Sequence, residues 1–276
     1  MKVSLIIPTL NSGKTLNFCL DSVFMMSKIP DEIIIIDGGS SDDTEKISKK
    51  FNVSFINSEK GLSKQRNVGI KISKYEMIAF LDSDVIVKID WLSNLLLEIK
   101  LDLLAVGGNL IEKNRKTLPD KWRCSHMDQN WGNNKRENIP FLYGSNFLIK
   151  KKVFEKVGYF DKKYKTNNED VDLFKRLKKK KLKFLYTPNA ICYHLKKDTI
   201  ISVMKTNYNW QYYAYPEPKN LLNLILRIFI YNPYKMLVYS LKDLMNGKLI
   251  NLFLDILMYF FHSFYDFKVY LSQKEF

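Results

Sequence analysis

Ile33-Ile34-Ile35-Ile36-Asp37-Gly38-Gly39-Ser40-Ser41-Asp42-Asp43-Thr44 is the stretch that decides the fold class of this chain. Four consecutive isoleucines leave no side of a strand for water, so they predict a strand covered on both faces, as in a parallel sheet between helices. The run ends on a carboxylate, two glycines and a Ser/Asp cluster, the composition of a turn that opens a helix. Working outward, the same unit recurs. Residues 3–7, 53–56, 77–81 and 103–106 are further short apolar runs, read as strands buried on both faces. Residues 15–26, 44–51, 62–72 and 91–99 carry helical periodicity between them. The alternation predicts an α/β fold with a doubly wound, mostly parallel sheet.

Composition agrees with a folded chain. At 276 residues and 46% apolar content there is enough to bury the core of one large domain, or of a domain with an appendage. The formal charge is +15, and residues 150–183 hold fourteen basic against five acidic side chains. Such a segment suits nucleic acid, anionic lipid headgroups or a phosphorylated substrate, and equally a solvated helical face; charge alone does not choose. Cys19, Cys124 and Cys192 are odd in number and widely spaced, which argues against a disulfide framework or a zinc module. No signal-peptide pattern precedes the first strand, so a cytoplasmic compartment is expected.

From 113 to 141 the pattern loosens into an expected irregular insertion, and helix and strand signals resume from 144 to 194. The last eighty residues are helical and aromatic. In 249–271, Asn251, Asp255, His262 and Asp266 recur at helical spacing and leave a wide apolar face. Charges interrupt the apolar stretches, so no membrane crossing is expected. An interfacial amphipathic helix, or packing against the catalytic domain or a second subunit, both stay open.

In open α/β sheets ligands sit beyond the carboxyl ends of the strands. Three such ends are polar here: Pro8-Thr9-Leu10-Asn11, Asp37 with its glycines, and Asp82-Ser83-Asp84. Asp37 can accept from a nucleobase N–H, or serve only as the turn residue of the cap that follows. Two carboxylates on one strand end suit a hard cation, Mg²⁺ or Mn²⁺, that neutralises a departing diphosphate. Asp170-Val171-Asp172 has the same spacing but lies in a helical pattern. There Asp170 shares a stripe with Leu173, Phe174 and Leu177, making it a candidate general base or a buried cap. Asp172 falls on the charged stripe, where an i, i+4 pair is expected.

In this order the motifs resemble those of the family 2 inverting glycosyltransferases, which have the GT-A fold. The matching stretches are 3–11, 36–44, Gly61-Leu62-Ser63-Lys64-Gln65-Arg66-Asn67-Val68-Gly69-Ile70, 78–84 and Asn168-Glu169-Asp170-Val171-Asp172-Leu173; the likeness spans 3–194. It implies a GT-A-like catalytic domain over 1–197, with a nucleotide-binding half at 1–112 and an acceptor half at 113–197, followed by an amphipathic helical C-terminal region at 198–276. It also implies metal-dependent, inverting transfer of a sugar from a nucleotide-sugar donor, a UDP-sugar above all, to a hydroxyl on a glycan. Thr9, Asp37, Arg66 and Asp82 would bind the donor. Asp84 and Asp82 would hold the divalent metal (Mn²⁺ or Mg²⁺), with His194 as a further ligand. Asp170 would take the acceptor proton and Glu169 would assist it. The basic segment and the C-terminal helices suit a lipid-linked glycan or surface polysaccharide at the inner face of the cell membrane, on an anionic lipid surface. Two departures stand out: Leu10 replaces the aromatic often found after Pro-Thr, and Gly38 replaces a second carboxylate.

The rival classes fit less well. A nucleotidyltransferase would carry a glycine-rich basic loop after the first strand, where this chain has Pro8-Thr9-Leu10-Asn11. A P-loop at Ser12-Gly13-Lys14-Thr15 fails because its upstream glycine position holds Pro8. A basic nucleic-acid-binding protein leaves Asp37, Asp82, Asp84 and Asp170 without a purpose and lacks a recognition motif, so no nucleic-acid partner is expected.

Overall fold

A computed structural model describes residues 1–99 and 102–272, so the last four residues of the expected C-terminal region lie outside the described residues. The chain forms two compact units, one of Met1–Lys113 with Gln129–Lys196, the other of Asn114–Asp128 with the residues from Lys197 onward.

In chain order the first unit holds β1 (Val3–Thr9), α1 (Leu16–Phe24), β2 (Glu32–Asp37), α2 (Thr44–Ser48), β3 (Ser54–Asn57), α3 (Leu62–Ile72), β4 (Met77–Leu81), β5 (Val85–Val87), α4 (Trp91–Glu98) and β6 (Leu103–Glu112). The second unit contributes α5 (Leu118–His126), and the first resumes with β7 (Asn146–Lys150), α6 (Lys152–Val157), α7 (Glu169–Lys179) and β8 (Lys183–His194). The eight strands form one sheet in the order β3-β2-β1-β4-β7-β6-β8-β5. β3, β2, β1 and β4 run parallel, which is the βαβ rhythm of the sequence made solid. β7 enters antiparallel between β4 and β6, and β5 is antiparallel to β8, so the sheet is mixed. Successive side chains feed opposite cores: Leu5 and Ile7 pack on one face of the sheet and Ile6 on the other, all at 0% exposure. The expectation of burial on both faces fails at β3. It is the sheet's edge, and three of its four residues are exposed.

The remaining helices belong to the second unit: α8 (Ile200–Tyr212), α9 (Leu221–Leu226), a π-helical turn (Arg227–Tyr231), α10 (Asn232–Met245), a 3₁₀ turn (Leu249–Asn251) and α11 (Leu252–Ser272). α5 stands where an irregular insertion is expected. Its start is fixed by a capping box between Thr117 and Asp120, with Pro119 in the first turn. The polar stripe of α11 points inward. Asp255 accepts from Trp122 Nε1 at 2.7 Å, and Asp266 accepts from Tyr208 Oη and Asn232 Nδ2, each at 3.0 Å, and pairs with Arg227 at 2.8 Å. One further correction concerns length. Among the described residues, Leu221–Met245 is a helical run of 25 residues in which a window of 18 has mean hydropathy 1.2, long and apolar enough by length and composition to cross a bilayer.

Candidate active site

Thr9 closes β1 and Asp37 closes β2, side by side in register. Asp37 is 2% exposed, and both its oxygens are occupied. Thr9 Oγ1 and Ser40 Oγ donate to Oδ1 at 2.9 and 2.6 Å, while the Gly39 and Ser40 amides donate to Oδ2 at 2.9 and 2.7 Å. Gly39 adopts φ +89°, which lets the turn fold back onto the carboxylate. Asp37 thus organises its own turn, and a nucleobase N–H reaching it would displace one of two hydroxyls. Gln65 braces the same corner, donating to the Thr9 and Ile36 carbonyls at 2.7 and 2.8 Å.

Next along α3, Arg66 is 1% exposed. It donates to Glu169, to Asp82 Oδ1 at 3.0 Å and to the Gly144 carbonyl at 2.9 Å, and it lies against the Phe80 and Phe160 rings. Burial disfavours its charge, but Glu169, Asp82 and Asp170 more than offset this and hold its pKa above the ordinary value. It is therefore a buried hub joining β4 to the start of α7, not a free cation on the wall of the cleft. Glu169 is 2% exposed; burial raises its carboxyl above the usual range, with Arg66 opposing and Asp170 adding to the rise.

Asp82, Ser83 and Asp84 turn the chain between β4 and β5. Ser83 Oγ lies 2.7 Å from Ser12 Oγ, which ties this turn to the loop after β1. The Asp82 and Asp84 side chains keep 35% and 30% exposure, so both reach solvent. Burial pushes Asp82 up further than Arg66 pulls it down. At Asp84 burial acts the same way, yet the charge and hydrogen bond of His194 prevail and bring it down to about 2. His194 Nε2 stands 3.2 Å from Asp84 Oδ2, and Nδ1 stands 2.9 Å from both oxygens of Glu112. Burial would lower the imidazole, but Asp84 and Glu112 raise it to about 10. Asp84 facing His194, with Glu112 fixing the ring from behind, offers the donor types of a divalent-cation site once the imidazole gives up its proton.

Asp170 lies in the first turn of α7 and is partly buried. Its Oδ2 accepts from the Gly144 amide at 2.7 Å and its Oδ1 from the Val171 amide at 2.8 Å. Burial raises its pKa, opposed by the Gly144 hydrogen bond and by Arg66. Asp172, two residues on and so on another face of the helix, makes the expected i, i+4 pair with Arg176 at 2.9 Å. Gly144 therefore serves two groups, its amide holding Asp170 and its carbonyl holding Arg66. A Cβ there would meet Arg66 Nη1 at 2.6 Å and Nη2 at 2.9 Å. Gly144→Ala should cost about 1–3 kcal/mol through overpacking and, by moving Arg66 and Asp170, lower kcat about 10²-fold. Thermal melts and initial rates check this, and a variant with parental melting and turnover would contradict it.

Every site residue expected from the sequence lies in the first unit. The structure joins Thr9 with Asp37, Arg66 with Asp82 and Glu169, Asp170 with Arg66 through Gly144, and Asp84 with His194. Glu112, Gly144 and Gln65 enter as partners the sequence did not single out. Among the described residues a second acid–histidine group occurs in the other unit, where ligand atoms of His126, Asp243 and Asp255 lie within 4.8 Å of one another. Its members already have protein partners: His126 Nε2 is 2.7 Å from Asp243 Oδ2, Asn251 donates to Asp243 Oδ1 at 3.1 Å, and Trp122 and Ser240 donate to Asp255.

Comparison with known proteins bears on the family and the fold. The sequence model described as glycosyl transferase family 2 matches residues 4–158, and that of glycosyltransferase like family 2 matches 133–236. The poly-beta-1,6-N-acetyl-D-glucosamine synthase of Staphylococcus epidermidis is 29% identical over 221 residues, covering 75% of this chain and 53% of that protein; the enzyme of Staphylococcus aureus is 28% identical over the same shares. The chain thus spans about half the length of these relatives. Among solved structures, S. aureus TarS superposes with TM-score 0.57 at 20% identity over 75% of this chain and 39% of that one. GalNAc-T7, solved with UDP, GalNAc and Mn²⁺, gives 0.59 at 18% identity over 71% and 44%. The mixed sheet with its flanking helices is a GT-A fold, and the chain belongs to glycosyl transferase family 2.

Proposed function

We propose that this chain transfers a sugar, with inversion, from a nucleotide-sugar donor to a hydroxyl of a glycan acceptor. The observation that carries the proposal is the bonded path from Asp82 through Arg66 and Gly144 to Asp170, which links one acid of the strand-end pair to a carboxylate whose pKa burial raises. The diphosphate is placed beside Asp82 and Asp84, with Thr9 and the Asp37 turn as the floor of the base pocket. Asp84, Asp82 and His194 would hold a divalent cation, which would supply charge neutralisation of the departing nucleoside diphosphate. Arg66 keeps Asp82 aimed at that end and Glu169 holds Arg66. Asp170 receives the proton of the acceptor hydroxyl as it attacks the far face of the sugar, so the anomeric centre inverts without a covalent sugar–enzyme intermediate. A UDP-sugar is the donor favoured by likeness to a TarS structure that contains UDP-GlcNAc. The acceptor is placed on a lipid-linked glycan or growing polysaccharide at the cytoplasmic face of a membrane, in keeping with the polysaccharide-synthase relatives and the +15 charge.

The test is a thermal-shift panel of UDP-, GDP- and dTDP-sugars with and without Mn²⁺. A UDP-sugar should raise Tm by several degrees only when Mn²⁺ is present; at a ligand concentration of 100 Kd linkage supplies about 2.7 kcal/mol. Equal shifts from all three nucleotides, or none with metal, would reject the donor assignment.

A further inference from the structure

In the second unit a stripe of polar side chains is buried among the helices, and a wide apolar surface is left outside. Of the large apolar side chains left exposed in the described residues, nineteen lie between Leu221 and Leu271, against thirteen in all the rest. That imbalance marks this surface as the one that needs a cover. On α11, Phe253, Ile256, Phe260, Phe264, Phe267 and Leu271 step by three or four residues and are 45–62% exposed, so they form one stripe along the whole helix. Leu237, Leu241 and Met245 do the same on α10, at 49–86% exposure, with Leu222, Ile225 and Phe229 preceding them. None of these positions carries a charge.

The opposite stripe holds the polar groups. Asp243, Asp255 and Asp266 are 0% exposed, Arg227 and Asn251 2%, and Asn232 and His262 5%. Their pairing is antiparallel: Asn232 bonds Asp266, Ser240 bonds Asp255 and Asn251 bonds Asp243. A helix pair folding in water places such residues outward and the phenylalanines inward. Here the order is reversed, which is the solution when the outer solvent is hydrocarbon.

Three observations select a lipid bilayer over a protein partner. The stripes run the full length of both elements, about 37 Å for the 25 residues of Leu221–Met245 and about 31 Å for α11 at 1.5 Å per residue, and the exposed cations Lys242 and Lys268 flank them, as suits a headgroup layer. Only 17% of the most apolar window of Leu221–Met245 is buried. The chain's net charge of +15 complements anionic headgroups. The other side of the pair is already taken. α5 and α8 cover it through the Trp122–Asp255, His126–Asp243 and Tyr208–Asp266 bonds and a cluster of Trp122, Val203, Met204, Tyr239, Leu254 and Met258. With one free side, the pair fits a membrane lying flat.

We propose that α9, α10 and α11 form a monotopic platform, lying in the plane of an anionic bilayer with the Phe253–Leu271 and Leu237–Met245 stripes among the acyl chains. This rests on the membrane-surface placement proposed above and adds which residues enter the lipid and in what orientation.

The experiment uses the full chain and vesicles of phosphatidylcholine with phosphatidylglycerol. The protein should float with the vesicles and stay bound in about 1 M salt, where charges are screened within about 3 Å. The double variant Leu237→Asp/Phe260→Asp, both at exposed positions, should lose about tenfold or more in partitioning, with its UDP-sugar thermal shift unchanged. In a Cys124→Ser background, Asn246→Cys on bound vesicles should react with an impermeant maleimide added outside. Salt-stripped binding, equal flotation of the variant, or a protected Asn246→Cys, which indicates a spanning hairpin, would each overturn the proposal. So would a lipid-free dimer that the double variant dissociates while flotation is unchanged, since the cover is then a second copy. A lost thermal shift with flotation intact would instead reject the donor assignment and leave this one standing.

Discussion

The Asp170→Asn protein should bind the sugar nucleotide as the parent does and turn over about 10²–10⁴-fold more slowly, the range supplied by a positioned general base. The substitution is well matched to the site. Asparagine keeps one oxygen to accept from the Gly144 amide, the 2.7 Å contact that orients the side chain, and gives up the acceptor facing the Val171 amide together with the capacity to take a proton. Arg66 keeps Glu169 and Asp82 as partners, so the donor side should not move. At 1.36 kcal/mol per decade, a 10³-fold loss is about 4 kcal/mol of transition-state stabilisation. The parent's pH profile gives a second readout. Burial raises the Asp170 pKa above its ordinary 3.8, so the acid limb of kcat/KM should lie above that value, activity rising as the group deprotonates. The residual rate of Asp170→Asn should lack this limb. An equal loss of donor binding, measured by calorimetry, would show instead that Asp170 only holds the start of α7 in place.

The parts of this fold that were legible in the sequence are those set by nearest neighbours. The isoleucines of β2 and the apolar runs of β1 and β4 could be buried in only one way, and an acid directly after such a run marks a strand end. What was not legible depends on partners far along the chain. Glu112 matters because β6 and β8 pair in a register that sets it against His194, 82 residues later. Gly144 matters because Arg66, 78 residues earlier, lies against it. Arg66 itself would be placed at the surface by its type, since a buried guanidinium is rare without a carboxylate such as Glu169. The antiparallel entry of β7 leaves no trace, because a five-residue run such as Asn146–Lys150 does not encode strand direction. In α11 the periodicity was plain, but which stripe faces inward depends on the surrounding solvent, and a helical period alone does not state it.

For Asp84→Asn, Mn²⁺ affinity should fall at least about 10²-fold, beyond the 10–100-fold typical when a residue behind a metal ligand is changed, and turnover should fall with it. The reason lies in the charge balance. Asp84 is the carboxylate held down to about 2, ionised under any working condition, and with 30% of its side chain exposed it can meet an incoming cation. Asp82 shares its charge with Arg66 and is the weaker donor. Glu112→Gln should lose less, within that 10–100-fold range, because it keeps a hydrogen bond to His194 Nδ1 while giving up the carboxylate that steadies the ring. Manganese titrations by calorimetry, run on each variant without donor, separate affinity from catalysis. Asp255→Asn is the necessary comparison, since among the described residues the His126, Asp243 and Asp255 group is the one whose acid and histidine ligand atoms lie within 4.8 Å of one another. If Asp255→Asn abolishes Mn²⁺ binding and Asp84→Asn leaves it untouched, the cation belongs to the second unit. The strand-end carboxylates would then have to act on the donor through hydrogen bonds alone.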